Sequence, residues 1–287
     1  MQENDLLVIG DMVLDVYMQI PLTALRAGDV VASSSYELMP GGACTVAVSA
    51  SRMGIRCAIL DTVGYDAEGE MLINEMKEEG VNISFVRRSR ECSTSRCIIL
   101  LMNKRHTFLG YECGIDHIEH INKVDLSLSR MIYFDGYLLR NRMSRERLRG
   151  AIKDNDVKVA FDPGPFVAKI PLYFFRRADV LLLNEEEWKA MKSRVHVSPE
   201  LLVIKRGPRG ASAFLNEKRM DVPGVPLQTI SNTVGAGDVF DGVFLSCLLN
   251  GAGVQTALNY ANMAAARRVK YGGRKGLPLK RIPRSPR

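Results

Sequence analysis

No stretch of about 18 consecutive apolar residues occurs in this sequence, so no membrane-crossing helix is expected. Six cysteines are present (Cys44, Cys57, Cys92, Cys97, Cys113 and Cys247), but no Cys-x-x-Cys pair. That absence argues against a metal knuckle or a dithiol redox motif and favours free thiols in a reducing cytoplasm. There is no Gly-x-x-x-x-Gly-Lys-Ser/Thr loop, which argues against a P-loop nucleotide site. No Gly-x-Gly-x-x-Gly follows the first apolar run, which counts against a dinucleotide dehydrogenase. The opening residues, Met1 to Asp5, are acidic and lead straight into an apolar run, unlike a signal peptide. Internal repeats and dividing linkers are absent too.

Acidic residues are missing from one end. Between Arg267 and Arg287 lie nine basic residues and no acid, while the whole chain carries +7, so the remainder is close to −2. A nucleic-acid reader would spread its basic residues along a groove or recognition element. A solvated basic tail over residues 274–287, drawing in nucleotide, is the better expectation.

What is present suits one large α/β domain: 287 residues, 46% apolar and 25% charged. Short apolar runs at Leu6–Ile9, Cys57–Val63, Cys97–Met102, Met131–Phe134, Val157–Phe161, Val180–Leu183, Leu201–Ile204 and Ala211–Leu215 read as strands. Helical stretches alternate with many of them. That alternation predicts a mostly parallel sheet covered on both faces. Several runs end in an acid or a polar residue, and ligands in such sheets bind beyond the carboxyl ends of the strands.

The most informative stretch runs from Ile230 to Phe244. Phe240, Val243, Phe244, Leu248 and Leu249 fall on one helical face, so Gly235-Ala236-Gly237 is the first turn or the turn before it. The leading amides of a helix have no internal partner and sit at the positive end of its dipole. Small side chains let an anion approach them. Asp238 stands beside that place. An acid next to a bound phosphate is unfavourable unless it removes a proton from a hydroxyl that attacks the phosphate; on spacing alone Asp238 equally suits a helix start, where acids are favoured.

Asn232-Thr233-Val234-Gly235-Ala236-Gly237-Asp238 resembles the signature Asp-Thr-x-Gly-Ala-Gly-Asp of the ribokinase-like (PfkB) family of carbohydrate and nucleoside kinases. The resemblance spans roughly residues 5 to 273. It implies a ribokinase-like α/β fold with a small β lid, built from segments near 12–40 and 92–112. It also implies that Gly235, Ala236 and Gly237 form the anion hole and that Asp238 is the base. ATP and Mg²⁺ follow as co-substrate and cofactor. Asn232 replaces the usual Asp at a position that helps hold a monovalent cation in some relatives, which puts potassium activation in doubt.

Other segments match the same pattern. Gly10 to Asp15 resembles the first motif, which assigns Asp15, with Asp11, to substrate hydroxyls. Gly41 and Gly42 match the glycine pair that packs against the sugar, and Thr45 stands where many relatives have Asn. Arg105 matches a turn arginine of the lid. Asp162 is similar to an acid near the phosphates or their metal. Asn184 and Glu187 match Asn-x-x-Glu, with Glu187 as an outer-shell magnesium organiser. Read on residues alone, those two are a helix cap with acids in its first turn. Lys205, Gly207 and Gly210 resemble the loop over the nucleotide, and Asn262 a residue lining the adenine pocket. The expectation is a cytoplasmic ATP phosphotransferase acting on a small carbohydrate, possible as a homodimer through the lid. A nucleoside kinase and a non-catalytic ligand- or nucleic-acid-binding protein are the alternatives.

Overall fold

The computed structural model describes residues 3–21, 28, 30–102, 105–192, 199–216 and 218–280. Its centre is a nine-stranded sheet. Strands β1 (Asn4–Ile9), β4 (Cys57–Gly64), β5 (Asn82–Ser89), β8 (Ser129–Asp135), β9 (Lys158–Asp162), β10 (Val180–Asn184) and β11 (Leu201–Lys205) are parallel. β12 (Ala211–Leu215) and β13 (Lys218–Val222) close one edge as antiparallel strands, giving the order β13-β12-β11-β10-β9-β8-β1-β4-β5.

Each central strand is buried on both faces, which is why it reads as a continuous apolar run. In β1, Leu6 and Val8 enter one core and Leu7 and Ile9 the other. The first core is covered by α1 (Ala43–Arg52), α2 (Ala67–Glu78), α6 (Ala236–Leu249) and α7 (Val254–Tyr271). The second is covered by α3 (Arg142–Lys153), α4 (Leu172–Arg177) and α5 (Glu185–Lys192). In α6, Phe240, Val243, Phe244 and Leu249 are buried as their spacing predicts.

A second sheet of four strands stands over the carboxyl edge of the first. Its order is β3-β2-β6-β7, from β2 (Met12–Gln19), β3 (Ser35–Gly42), β6 (Arg96–Met102) and β7 (Arg105–Tyr111). This small second sheet, termed the lid, has strands spanning 12–19, 35–42, 96–102 and 105–111. Residues 103 and 104, read as part of its hairpin turn, lie outside the described residues.

Two expectations are corrected. Cys92 and Cys113 are joined as a disulfide, with Cα atoms 5.7 Å apart, so these two are not free thiols. The β6–β7 hairpin pairs Arg96 with Tyr111, and that register brings the two flanking cysteines together. Spacing along the chain could not reveal this. Cys44 and Cys57 are buried thiols, as expected. The C-terminal segment is also not loose from 274 onward. Arg274 pairs with Glu75 at 2.5 Å, Lys280 with Glu79 at 3.3 Å, and Leu277 is buried. Two of its basic residues are thus held by Glu75 of α2 and by Glu79, the residue that caps that helix. The tail residues 281–287 lie outside the described residues.

Helices α1 and α6 cross at Gly242. A Cβ there would sit 2.5 Å from the Val46 carbonyl oxygen and 2.8 Å from Ser49 Cβ. Gly→Ala in an exposed helix normally gains about 1 kcal/mol. At this crossing Gly242→Ala should instead cost about 1–3 kcal/mol through overpacking, read as a lower urea midpoint with an unchanged slope.

Candidate active site

The strand ends bring the chemistry together. Asp11 follows β1, Asp135 ends β8, Asp162 ends β9, Asn184 ends β10 and Lys205 ends β11. The lid supplies Asp15 from β2 and Gly41 and Gly42 from the end of β3. The N-terminus of α6 completes the floor.

That helix begins at Ala236, and Gly235 is its N-cap in the left-handed region, φ 72°. Glycine suits that conformation, where a Cβ costs about 1–2 kcal/mol. No side chain caps the helix. The Ala236 amide makes a 3.3 Å turn contact with the Thr233 carbonyl, and Val239 makes the first helical bond, to Gly235. Among the described residues the amides of Gly235, Gly237 and Asp238 have no partner within the protein. They are the donors an anion would find.

Asp238 is partly buried beside them. Burial raises its pKa to about 6; Lys205 and Arg268 pull it down and Asp162 pushes it up. A carboxylate with that value is ionised near neutrality and still basic enough to take a proton. Asp15 is buried, and burial, then Asp238, raises its pKa to about 7. Tyr17 donates to Asp15 at 3.5 Å. A Cβ on Gly41 would land 2.2 Å from Asp15 Cγ, so glycine is required against this carboxylate.

On the other side Lys205 lies among acids, 2.6 Å from Asp162 and 3.0 Å from Asp241. Burial works against its charge, but Asp162 and Asp241 hold its pKa above the ordinary lysine value. Burial likewise opposes ionisation of Asp162, yet Lys205, the hydrogen bond from Asp241 and the Gly164 amide hold it below the usual carboxylate range. Asp241 is fully buried, and burial pushes it well up, so it keeps its proton and shares it with Asp162. The three groups form a compact, near-neutral cluster. A Cβ on Gly237 would be 3.5 Å from the Lys205 ammonium, so the lysine borders the anion loop.

Asn184 and Glu187 close a reciprocal cap. Glu187 accepts from the Asn184 amide at 2.7 Å and from Nδ2 at 2.6 Å, while Asn184 Oδ1 accepts from the Glu187 amide at 2.9 Å. The helix-cap reading is therefore present in the structure. Burial and then Asp162 raise the Glu187 pKa to about 7.

Some sequence candidates stand apart. The Thr45 hydroxyl donates to the Pro40 carbonyl at 3.2 Å, so its proton is already engaged. Arg105 is exposed at the start of β7. Asn262 donates to the Pro223 carbonyl at 2.7 Å, beside the turn carrying Gly207 and Gly210.

The structure also adds residues that sequence reasoning missed. Asp241 lies one helical turn after Asp238 and could have been found by that spacing. Arg268 is buried behind the anion loop. Beneath Asp11, His117 bonds Asp61 at 3.0 Å and the Cys113 carbonyl at 3.0 Å, and Asp61 accepts from the Met12 amide at 2.6 Å. Burial lowers the His117 pKa, but Asp61 and Asp11 outweigh it and raise it to about 10. With both ring nitrogens engaged, the trio acts as an ion pair that braces the first strand's exit.

A mostly parallel sheet with a four-stranded lid over its carboxyl edge is the ribokinase-like α/β fold. The Arabidopsis thaliana ribokinase structure with ribose and ATP superposes with TM-score 0.81 at 18% identity, covering 96% of each chain. A Burkholderia thailandensis nucleoside kinase with inosine superposes with TM-score 0.79 at 18% identity, covering 96% of this chain and 95% of that one. In sequence, the ribokinase of Bacillus subtilis strain 168 is 24% identical over 266 residues, 89% of this chain and 90% of its own. The family model described as pfkB family carbohydrate kinase matches residues 3–279, so the chain belongs to that family of ATP-dependent sugar and nucleoside kinases. Among the described residues no helix is long and apolar enough to cross a membrane.

A carboxyl group whose folded pKa is raised from 3.8 to about 6 favours the folded state below pH 4 and loses that contribution as pH rises through 6. Asp238→Asn removes the buried charge. It should raise Tm by a few degrees at pH 8, about 1–2 kcal/mol after allowing for solvent screening, with the difference shrinking towards pH 4. Differential scanning calorimetry across that range reads it.

Proposed function

We propose that this chain transfers the γ-phosphoryl group of ATP to a hydroxyl of a small carbohydrate, a sugar, sugar acid or polyol, with Asp238 as the general base. The observation that carries this reading is the pairing of unpartnered amides at Gly235 and Gly237 with an adjacent carboxylate whose pKa is about 6. Asp15 and the Gly41–Gly42 backbone orient the acceptor. Asp238 takes the hydroxyl proton as the oxygen attacks, and the loop amides hold the migrating group. Lys205 sits where it can approach the nucleotide's phosphates, and the Gly207–Gly210 turn with Asn262 flanks the nucleotide. The lid over the strand ends keeps water out.

Glu187 and Asp162 fit a magnesium ion that keeps its water shell. Both carboxylates are already hydrogen-bonded or paired, leaving lone pairs for metal-bound waters rather than a bare inner-shell seat. When bound, the ion neutralises charge between the phosphates. ATP as donor supports a cytoplasmic setting. The outer lid strand leaves Phe108, Leu109 and Tyr111 about half exposed, which supports pairing of two copies through their lids. Sedimentation velocity should give a dimer that Phe108→Glu with Leu109→Glu converts to a monomer.

An ADP-release screen over sugars, sugar acids, polyols and nucleosides tests the acceptor class; turnover with nucleosides alone would assign the chain to nucleoside phosphorylation. In the active combination, Asp238→Asn should lower kcat by about 10²–10⁴ while ATP binding stays intact. For the unsubstituted enzyme kcat/KM should fall on the acid side below about pH 6, as Asp238 takes up its proton. Near-normal turnover in Asp238→Asn contradicts the assignment.

A further inference from the structure

Arg268, on α7, is 1% exposed and is one of the largest fully buried side chains among the described residues. Its Nε donates to the Val234 carbonyl at 2.9 Å, its Nη1 to the Gly273 carbonyl, and its Nη2 to the Tyr17 hydroxyl at 3.1 Å. Both Nη atoms also face the Met39 sulfur, at 3.6 and 3.7 Å. Among the described residues no carboxylate lies within ion-pair distance. A buried charge without a paired counter-charge costs several kcal/mol unless fixed dipoles replace its water. Here two backbone carbonyls, a hydroxyl and a thioether sulfur do so, neutral dipoles of the kind that surround a bound alkali ion rather than an ion pair.

The location gives that environment a purpose. A Cβ on Gly235 would lie 3.0 Å from Nη2 and 3.2 Å from Nε, so the guanidinium lies directly behind the N-cap of the anion loop. Through Tyr17 it reaches Asp15, and its charge favours the ionised forms of both Asp15 and Asp238. The loop's preceding side chain fits a site that already has its cation. Asn232 is a neutral amide whose Oδ1 accepts from the Val234 amide at 3.0 Å. It fixes the loop without adding the negative charge that a mobile cation would require.

We propose that Arg268 is the built-in counter-cation of the anion loop, a positioning residue that holds the Val234–Gly235 turn and fills the place of a bound alkali ion, so that turnover needs no monovalent cation. The proposal rests on the kinase reading only for its turnover arm. The full-length enzyme is assayed in potassium, sodium and choline salts at equal ionic strength, with Arg268→Met and Arg268→Lys beside it. The unsubstituted enzyme should turn over at rates within about twofold in all three salts. Arg268→Met should lose about 10²-fold in kcat with little change in KM for ATP. The acid limb of its kcat/KM profile should move to higher pH, a shift that a purely structural role would not produce. Arg268→Lys, which keeps the charge, should retain the limb.

An unsubstituted enzyme that needs potassium overturns the proposal without any variant. So does a folded Arg268→Met with near-normal kcat and an unmoved limb. If Arg268→Met does not fold, the salt comparison and the Arg268→Lys profile decide. If the unsubstituted chain turns over no acceptor, the kinase reading fails separately. Inorganic phosphate binding by calorimetry then judges Arg268, expected to weaken at least about tenfold in Arg268→Met and overturning the proposal if unchanged.

Discussion

Six carboxyl groups, on Asp11, Asp15, Asp135, Asp162, Asp238 and Asp241, crowd one edge of the sheet, and the site holds together because three cations, Lys205, Arg268 and His117, lie among them. Like charges about 4 Å apart repel by a few kcal/mol even at an effective dielectric of 20. Burial raises most of these groups, and only Asp162 is held low, because it pairs with Lys205 and also accepts hydrogen bonds from Asp241 and the Gly164 amide. Lys205 neutralises one side of the anion loop and Arg268 the back of it. The helix dipole of α6 adds a third positive element at the same place. An anion arriving there meets free amides and cations, while the acids next to it are kept near the point of ionisation.

That electrostatic arrangement ties the lid to the sheet. Arg268 touches lid residues Tyr17 and Met39, the anion loop at Val234 and the C-terminal segment at Gly273. His117 braces the exit of β1 against the lid's base through the Cys113 carbonyl, and Cys113 is linked to Cys92 across the hairpin. Asp15 in the lid and the Val234–Gly235 turn are thus connected by a short chain of buried polar contacts through Tyr17 and Arg268. The same buried carboxylates that suit proton transfer subtract from stability above pH 6, a common cost of an active site.

Much of this was legible in the sequence, for physical reasons that differ by element. The central strands are buried on both sides, so their apolar runs stand out, and α6 announces itself by spacing. Gly235 to Asp238 could be placed at a helix start by the apolar spacing that follows, while the role expected of them came from their resemblance to the family signature. β5 and β13 went unread, since their half-exposed residues mix charge with apolar side chains. The Cys92–Cys113 bond depends on hairpin register, and the packing of 274–280 depends on acids of a helix nearly 200 residues earlier. In the sequence Arg268 is one of nine basic residues between 267 and 287, with nothing to set it apart. Only its burial, a tertiary fact, separates it from its neighbour Arg267, which bonds outer carbonyls of the C-terminal segment. Asn184 and Glu187 satisfy both the cap reading and the metal-organising reading, because one geometry serves both.

The central claim is that the leading amides of α6 receive the migrating phosphoryl group beside Asp238. Amide proton shifts of the ¹⁵N-labelled protein, recorded with ADP alone and with ADP plus beryllium fluoride as a γ-phosphoryl mimic, test it most directly. The account predicts downfield movement of the Gly235 and Gly237 amides only when the mimic is added, with Gly251 at the far end of α6 unmoved. Unchanged Gly235 and Gly237 resonances alongside clear shifts elsewhere would contradict it.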